Sequence, residues 1–133
     1  EWQRATESLR AADTLAREEL RADAVSRAYY AILHATKAAL HVQDVAAESH
    51  AAVRRMFGLH LVQTGEIERE WSAYLAEGLD DRLGADYDAT VQFSEEEANA
   101  ECARARAFLE RMRTYLLQKG LPAEDLKPRP TSA

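Results

Sequence analysis

The sequence has few of the residues that interrupt helices. Its 133 residues include five glycines and three prolines, and all three prolines lie within the last twelve positions. Because proline breaks a helix interior and glycine weakens it, this distribution is typical of a helical chain. The single cysteine, Cys102, has no internal disulfide partner, which favours a reducing compartment, and we expect a cytoplasmic protein.

Long apolar runs are also missing. The longest stretch without Asp, Glu, Lys or Arg is ten residues, 56–65, which is about half of a membrane span. The first residues carry no signal-peptide pattern, and we expect no membrane attachment. Acidic residues outnumber Lys and Arg by 23 to 17, and residues 66–101 carry 12 acids and 2 bases. Any contact with RNA must therefore use a local basic site.

Apolar residues recur at the three-to-four-residue spacing of amphipathic helices. The spacing predicts helices over about residues 2–20, 22–42 and 49–65, and a fourth from about residue 66. Ser94 and Glu97 form a capping-box pattern that predicts the start of a fifth helix, which ends near Gly120. We therefore predict an all-α fold, an up-and-down bundle of four to five helices over residues 1–120, followed by a flexible proline-rich tail over residues 121–133.

One face of the second predicted helix carries groups that can hold a phosphate and move a proton. At intervals of three and four residues it presents Arg27, Tyr30, His34, Lys37 and His41, all within about an 80° arc. A guanidinium binds phosphate, and an imidazole transfers protons near neutral pH. The alternative interpretation is a partly solvated face whose rings pack against a neighbouring helix.

Two further groups of basic residues have competing interpretations. Arg82 is one of two bases in the acidic region, and either serves a site or is held by a nearby carboxylate such as Asp81 or Asp86. The fifth predicted helix carries Arg104, Arg106, Arg111 and Arg113. These arginines form either a basic surface or a solvated face that is paired with acids.

Metal and cofactor sites have little support in the sequence. The four histidines include no pair at i, i+4, and no Glu-x-x-His occurs, which disfavours a di-iron bundle. A zinc site would need paired cysteines. We therefore expect neither a metal nor another cofactor.

An ordered set of short motifs runs along the chain. The second predicted helix contains Asp-Ala-Val-Ser-Arg-Ala-Tyr-Tyr-Ala-Ile-Leu-His-Ala, residues 23–35. After it come, in order, Ser49-His50, Thr64-Gly65, Arg82-x-x-Ala-Asp86-Tyr87 and Phe93-Ser94-Glu95-Glu96. Over roughly residues 5–118, this set resembles the small stand-alone prokaryotic HEPN-domain proteins.

The resemblance implies a helical bundle, usually a homodimer, with a polar site in or beside the dimer cleft. Many HEPN proteins are metal-independent ribonucleases or toxins, and some are paired with a small nucleotidyltransferase that acts as antitoxin. Others bind only nucleotide or RNA. The ribonucleases carry an Arg-x(4–6)-His motif, whose arginine would hold the scissile phosphate and whose histidine would move a proton to or from the ribose.

Two segments match that motif in part. Arg27 and His34 have six residues between them but lie in the second helix, whereas the family's motif usually lies later in the bundle. Arg82 and Tyr87 have four residues between them and lie later, but tyrosine replaces histidine, and an ordinary tyrosine, with a pKa of about 10, is a poor base at neutral pH. A composite site would combine Arg82 with His34. Whether the chain is an enzyme is thus left open.

The leading hypothesis is a dimeric HEPN-type protein that binds RNA or a nucleotide phosphate, with ribonuclease toxin activity as its catalytic form. Its catalytic candidates are His34, Arg27, Arg82 and Tyr87, and its binding candidates are Tyr30, Lys37, His50 and Asp86. The alternative function is a non-catalytic interaction module that acts with a nucleotidyltransferase-type partner. A structural alternative also exists for two of these residues, because Arg27 and Asp86 could form a buried ion pair between helices.

Overall fold

The architecture is all-α. Residues 1–77 and 92–128 are described, from a computed structural model. The helices are α1 (Trp2–Arg17), α2 (Arg21–His41), α3 (His50–Phe57), α4 (residues 70–77) and α5 (Glu95–Gln118). A π-helical turn (Gly58–Val62) continues α3, and a 3-10 turn (Ala123–Leu126) follows α5. The described residues contain no strand, and the predicted all-α helical bundle is confirmed.

The central element is α2, which packs against α1, α5 and α3. Twelve of its 21 residues are buried. Several of them are alanines with no exposed surface: Ala24, Ala28, Ala31, Ala35 and Ala39. Because these side chains are short and fully covered, the neighbouring helices can approach α2 closely and surround most of its circumference.

The start of α5 follows the prediction. Ser94 accepts a hydrogen bond from the backbone N–H of Glu97, and the Glu97 carboxylate accepts one from the backbone N–H of Ser94, both at 3.0 Å. These bonds satisfy two donors that a helix N-terminus leaves without intrahelical partners. The hydrogen bond from the Ser94 backbone lowers the pKa of Glu97. The capping box predicted at Ser94 and Glu97 is therefore confirmed.

The third helix runs in the same direction as α2. His50, at its start, contacts Tyr29 in the middle of α2, whereas the carbonyl of His60 accepts a hydrogen bond from Gln43, just beyond the end of α2. The segment between the two helices must therefore return along α2, and Glu48 lies 4.0 Å from Lys37 on that path. Ser49 caps α3 by accepting a hydrogen bond from a backbone N–H, as expected of a serine at that position.

The fourth helix begins at residue 70, four residues later than the spacing predicts. Glu66 and Glu68 lie in an irregular segment, and their carboxylates bind side chains in and next to α5. Glu66 accepts hydrogen bonds from Gln43 and Tyr115 and pairs with Lys119. Glu68 accepts two hydrogen bonds from Arg111, at 2.7 and 3.0 Å. These tertiary contacts compete with the helix for residues 66–69 and delay its start.

The segment after α5 differs from the flexible tail predicted over residues 121–133. Leu126 is only 2% exposed, and its carbonyl accepts a hydrogen bond of 2.7 Å from the Trp2 indole. Gln3 also donates to the carbonyl of Lys127, at 2.8 Å. The turn around Leu126 is therefore fixed to the start of α1, because this one leucine is buried within an otherwise polar and exposed segment. Residues 129–133 lie outside the described part of the chain.

We predict that Leu126→Ala lowers the free energy of unfolding by about 2 kcal/mol, the low end for a buried leucine, because the segment is short. Urea denaturation followed by circular dichroism measures this change. Leu20→Ala is the matched control, because Leu20 is 50% exposed, and we expect a change within about 0.5 kcal/mol. Equal effects of the two substitutions would contradict the packed position of Leu126.

A second prediction concerns pH. The hydrogen bond from Arg111 lowers the pKa of Glu68 from 4.5 to about 2. A carboxylate whose pKa is lowered by folding stabilises the protein above its unfolded pKa, and this contribution disappears as the pH falls from about 4.5 towards 2. We expect Glu68→Gln to reduce stability by about 1 kcal/mol at pH 7, a value kept small because the Glu68 side chain is half exposed.

The variant should also lose less stability than the parent protein on acidification. Urea unfolding at pH 7 and pH 3 measures both effects. Glu70→Gln is the control, since Glu70 is exposed two residues away and its carboxylate makes no hydrogen bond or ion pair with the described residues. Parallel acid profiles for the parent and Glu68→Gln would show that the pair with Arg111 does not contribute.

Candidate functional site

The outward strip of α2 is the side of the helix opposite its buried alanines, and it consists of Arg27, Tyr30, His34 and Lys37. Arg27 is exposed, and Tyr30, His34 and Lys37 are partly exposed, whereas Ala28, Ala31 and Ala35 on the other side are buried. The rings of Tyr30 and His34 stack with their centroids 6.3 Å apart. The predicted arrangement of these side chains on one face is therefore present in the folded chain.

His34 is held by a carboxylate from α1's N-terminal end. Its Nδ1 lies 2.5 Å from a carboxylate oxygen of Glu1, and both side chains are largely covered. Burial alone would raise the pKa of Glu1, but the hydrogen bond with His34, together with nearby positive charges, lowers the pKa overall. The carboxylate fixes the orientation of the imidazole, and Nε2 makes no hydrogen bond with the residues described. An imidazole held in this way can exchange a proton with a ligand.

Arg27 connects two adjoining grooves between α1 and α2. One, of about 330 Å³, is lined by Arg4, Glu7, Ser8, Ala11, Arg27 and His34. The other, of about 470 Å³, is lined by Leu15, Asp23, Ser26, Arg27 and Tyr30. The Arg27 side chain forms no hydrogen bond or ion pair with any residue in 1–77 or 92–128. Within those ranges no carboxylate is bonded to its guanidinium, which can bind an anion that enters either groove.

The structure adds Arg4, which the sequence analysis missed. Arg4 lines the same groove as Arg27 and His34, although it lies 23 residues from Arg27 in the chain. The signal was present in the spacing of Arg4, Ser8, Ala11 and Leu15, which share one face of α1. That spacing indicates a groove only when α1 is known to pack beside α2, because residues of both helices form the groove.

The other binding candidates are placed differently. Lys37 lies 4.0 Å from the exposed carboxylate of Glu48, too far for a hydrogen bond. His50 stacks on the buried ring of Tyr29 with centroids 5.5 Å apart, and its Nδ1 shares a hydrogen bond of 2.7 Å with the Tyr29 hydroxyl. His50 thus joins α3 to α2, and it lines neither α1–α2 groove.

Three candidates, Arg82, Asp86 and Tyr87, lie outside the described residues, as does Asp81. The alternative in which Arg27 forms a buried ion pair with Asp86 requires a buried guanidinium. Arg27 is exposed, so its side chain is not the buried guanidinium that this alternative requires.

Three of the four arginines of α5 follow the second interpretation, that of a face paired with acids. Arg104 lies 2.6 Å from the Glu77 carboxylate and stacks on the Tyr74 ring. Arg106 pairs with Asp13, and Arg111 pairs with Glu68. These guanidinium groups join α5 to α1, to α4 and to the segment before α4, and they are already engaged by carboxylates.

The described ranges contain no cluster of three or more His, Cys, Asp or Glu side chains arranged to hold a metal ion. In the same part of the chain, no helix is both long and apolar enough to cross a membrane. Cys102 is buried on the inner face of α5, and burial raises the pKa of its thiol to about 11. A thiol with that pKa is a poor nucleophile at neutral pH.

The fold and grooves define a small helical-bundle protein with an arginine–histidine strip on its second helix. A family model described as the HEPN domain matches residues 1–115. The chain therefore belongs to the HEPN-domain family.

Named relatives support this membership. The chain is 33% identical over 119 residues to "Putative toxin MJ0142" of Methanocaldococcus jannaschii, covering 90% of this chain and 81% of that protein. It is 39% identical over 112 residues to "Putative toxin MJ0605" of the same organism, covering 84% and 83%. A "UPF0332 protein" of Thermotoga maritima is 29% identical over 127 residues, covering 95% and 91%. The similarity thus extends over nearly the whole bundle.

Proposed function

We propose that this HEPN-family protein binds single-stranded RNA in the α1–α2 grooves, with Arg27 as the main phosphate ligand. The observation that carries the proposal is an exposed guanidinium without a carboxylate partner among the described residues, in a groove shared with His34 and Arg4. The chain carries a net charge of −6, so a basic group without a carboxylate partner among the described residues marks a local site for an anion. Phosphate contacts by such groups supply most of the affinity for RNA.

The same groove supports a cleavage mechanism that needs no metal. Arg27, assisted by Arg4, would neutralise the charge of the phosphodiester as the phosphorus becomes five-coordinate. Nε2 of His34 would take the proton from the ribose 2′-hydroxyl, whose oxygen then attacks the phosphorus and displaces the 5′-oxygen of the next nucleotide. The departing 5′-oxygen takes a proton from water, and the imidazolium later returns its proton to solvent, so that the products are a 2′,3′-cyclic phosphate and a free 5′-hydroxyl. Glu1 would act as a positioning residue, since its carboxylate holds Nδ1.

Arg82, Asp86 and Tyr87 remain part of the proposal as further contributors. Arg82 would hold a second phosphate oxygen if the fold brings it to His34, and the tyrosine would contact the ligand rather than act as base. The proposal also includes a homodimer and a cytoplasmic location, which rest on the resemblance and on the single cysteine.

A second function is favoured by the names of the relatives. Two of them carry the name putative toxin, and toxins of this kind act with an antitoxin partner. We propose as the alternative that the chain is a non-catalytic interaction module whose partner is a small nucleotidyltransferase. In that case the α1–α2 grooves would contact the partner, and purified protein would neither bind nor cleave RNA.

The binding proposal predicts that Arg27→Ala weakens the affinity for a single-stranded RNA by roughly tenfold, the effect of losing one charge-assisted contact with phosphate. Fluorescence anisotropy of a labelled oligonucleotide at several salt concentrations measures it. Arg113→Ala on α5 is the control for the change in net charge. Equal affinities of Arg27→Ala and Arg113→Ala would contradict the α1–α2 site.

If the protein is a metal-independent ribonuclease, as proposed, it should cleave a mixed RNA pool in the presence of EDTA. His34→Ala should lower the rate by roughly 100-fold or more, because it removes the general base. Its circular dichroism should match that of the parent protein. If the parent protein does not cleave RNA at micromolar concentration but binds it through Arg27, the ribonuclease proposal is wrong and the RNA-binding proposal stands.

A further inference from the structure

A third groove lies between α3 and α4, away from the strip on α2. It has a volume of about 570 Å³ and is lined by Ala51, Arg54, Arg55, Phe57, Ser72, Ala73, Leu75 and Ala76. Among the described lining residues, the two arginines are the charged ones. The α1–α2 grooves, by contrast, include the carboxylates of Glu7 and Asp23. The described residues of the α3–α4 groove therefore contribute positive charge and no carboxylate.

Neither arginine is accounted for by a contact within the described chain. Both are exposed, and their side chains make no hydrogen bond or ion pair with residues 1–77 or 92–128. This contrasts with Arg104, Arg106 and Arg111, each of which has a carboxylate partner. Basic residues often lie in the last turn of a helix, where they interact with its dipole. That explanation is weak for Arg54 and Arg55, because the π-helical turn continues the helix beyond them.

The floor of the groove is apolar and shallow. The side chains of Phe57 and Leu75 are 1% exposed and form its base, and the methyl groups of Ala51, Ala73 and Ala76 form its sides. Small side chains on both helices thus create the space. Among the lining side chains, Ser72 supplies the one neutral polar group. Such a floor gives van der Waals contact to a sugar or base without hydrogen bonds that would distinguish one base from another.

We propose that the α3–α4 groove is a second contact site for single-stranded RNA, in which Arg54 and Arg55 bind successive phosphates. This inference rests on the proposed RNA-binding function and extends it to a surface that the α1–α2 grooves do not include. Guanidinium groups bind phosphate oxygens in pairs of parallel hydrogen bonds, and two adjacent arginines at the edge of an apolar groove suit a charged backbone with uncharged bases. Binding here is independent of base sequence.

The test measures the affinity of an oligouridine and an oligocytidine of about 12 nucleotides as a function of salt concentration. Arg54→Ala/Arg55→Ala should weaken binding of both by roughly tenfold or more and lower the slope of log K against log salt by about 1.4, which is two phosphates at about 0.7 each. Arg106→Ala/Arg113→Ala removes the same charge from α5 and should leave the slope nearly unchanged. Arg54→Lys/Arg55→Lys keeps the charge and should restore the slope.

The outcomes separate this inference from the proposed function. If Arg27→Ala weakens binding but the Arg54/Arg55 double variant behaves like the α5 control, the groove inference is wrong and the α1–α2 site stands. If the slope of log K against log salt falls in the Arg54/Arg55 double variant while Arg27→Ala has no effect on affinity, the α3–α4 groove is the RNA site. The assignment of RNA binding to the α1–α2 grooves is then wrong. If the parent protein binds neither oligonucleotide, both proposals fail.

Discussion

The close packing around the alanines of α2 is the constraint on which the rest of the structure depends. Alanine side chains without exposed surface allow α1, α5 and α3 to surround this helix. Only one strip is then left to solvent, and it carries Arg27, Tyr30 and His34. A larger side chain at Ala28 or Ala31 would separate the helices and so disturb both the core and the groove. The same helix therefore supplies buried alanines to the core on one side and the candidate site residues on the other.

Charge pairing decides which basic residues can bind an anion. The sequence places its densest series of arginines on α5, yet three of these four guanidinium groups join α5 to Asp13, Glu68 and Glu77. They are engaged within the fold. The exposed arginines without carboxylate partners among the described residues include Arg27 on α2 and the Arg54–Arg55 pair on α3. A count of basic residues along the chain would have selected α5 as the anion-binding surface. The ion pairs in the folded chain instead favour α2 and α3.

Membership in the HEPN-domain family establishes a common fold, but it leaves the chemistry of this chain as a proposal. The Arg27–His34 pair has the spacing of the ribonuclease motif and lies on α2, and His34 is oriented by Glu1. The later segment has tyrosine where histidine would be expected. Of the two segments that match the motif in part, the one with Arg27 and His34 therefore lies on a described helix, and the proposed ribonuclease activity depends on that segment.

The sequence by itself determined the all-α class, the capping box at Ser94, the end of α2 and the single face shared by Arg27 and His34, because each follows from local spacing. Only the tertiary structure decided the start of α4, the packing of Leu126, the partners of α5's arginines and the placement of Arg4 beside Arg27. Each of these depends on contacts between residues far apart in the chain. Helical periodicity fixes which residues share a face, but not which carboxylate or indole another helix brings to it.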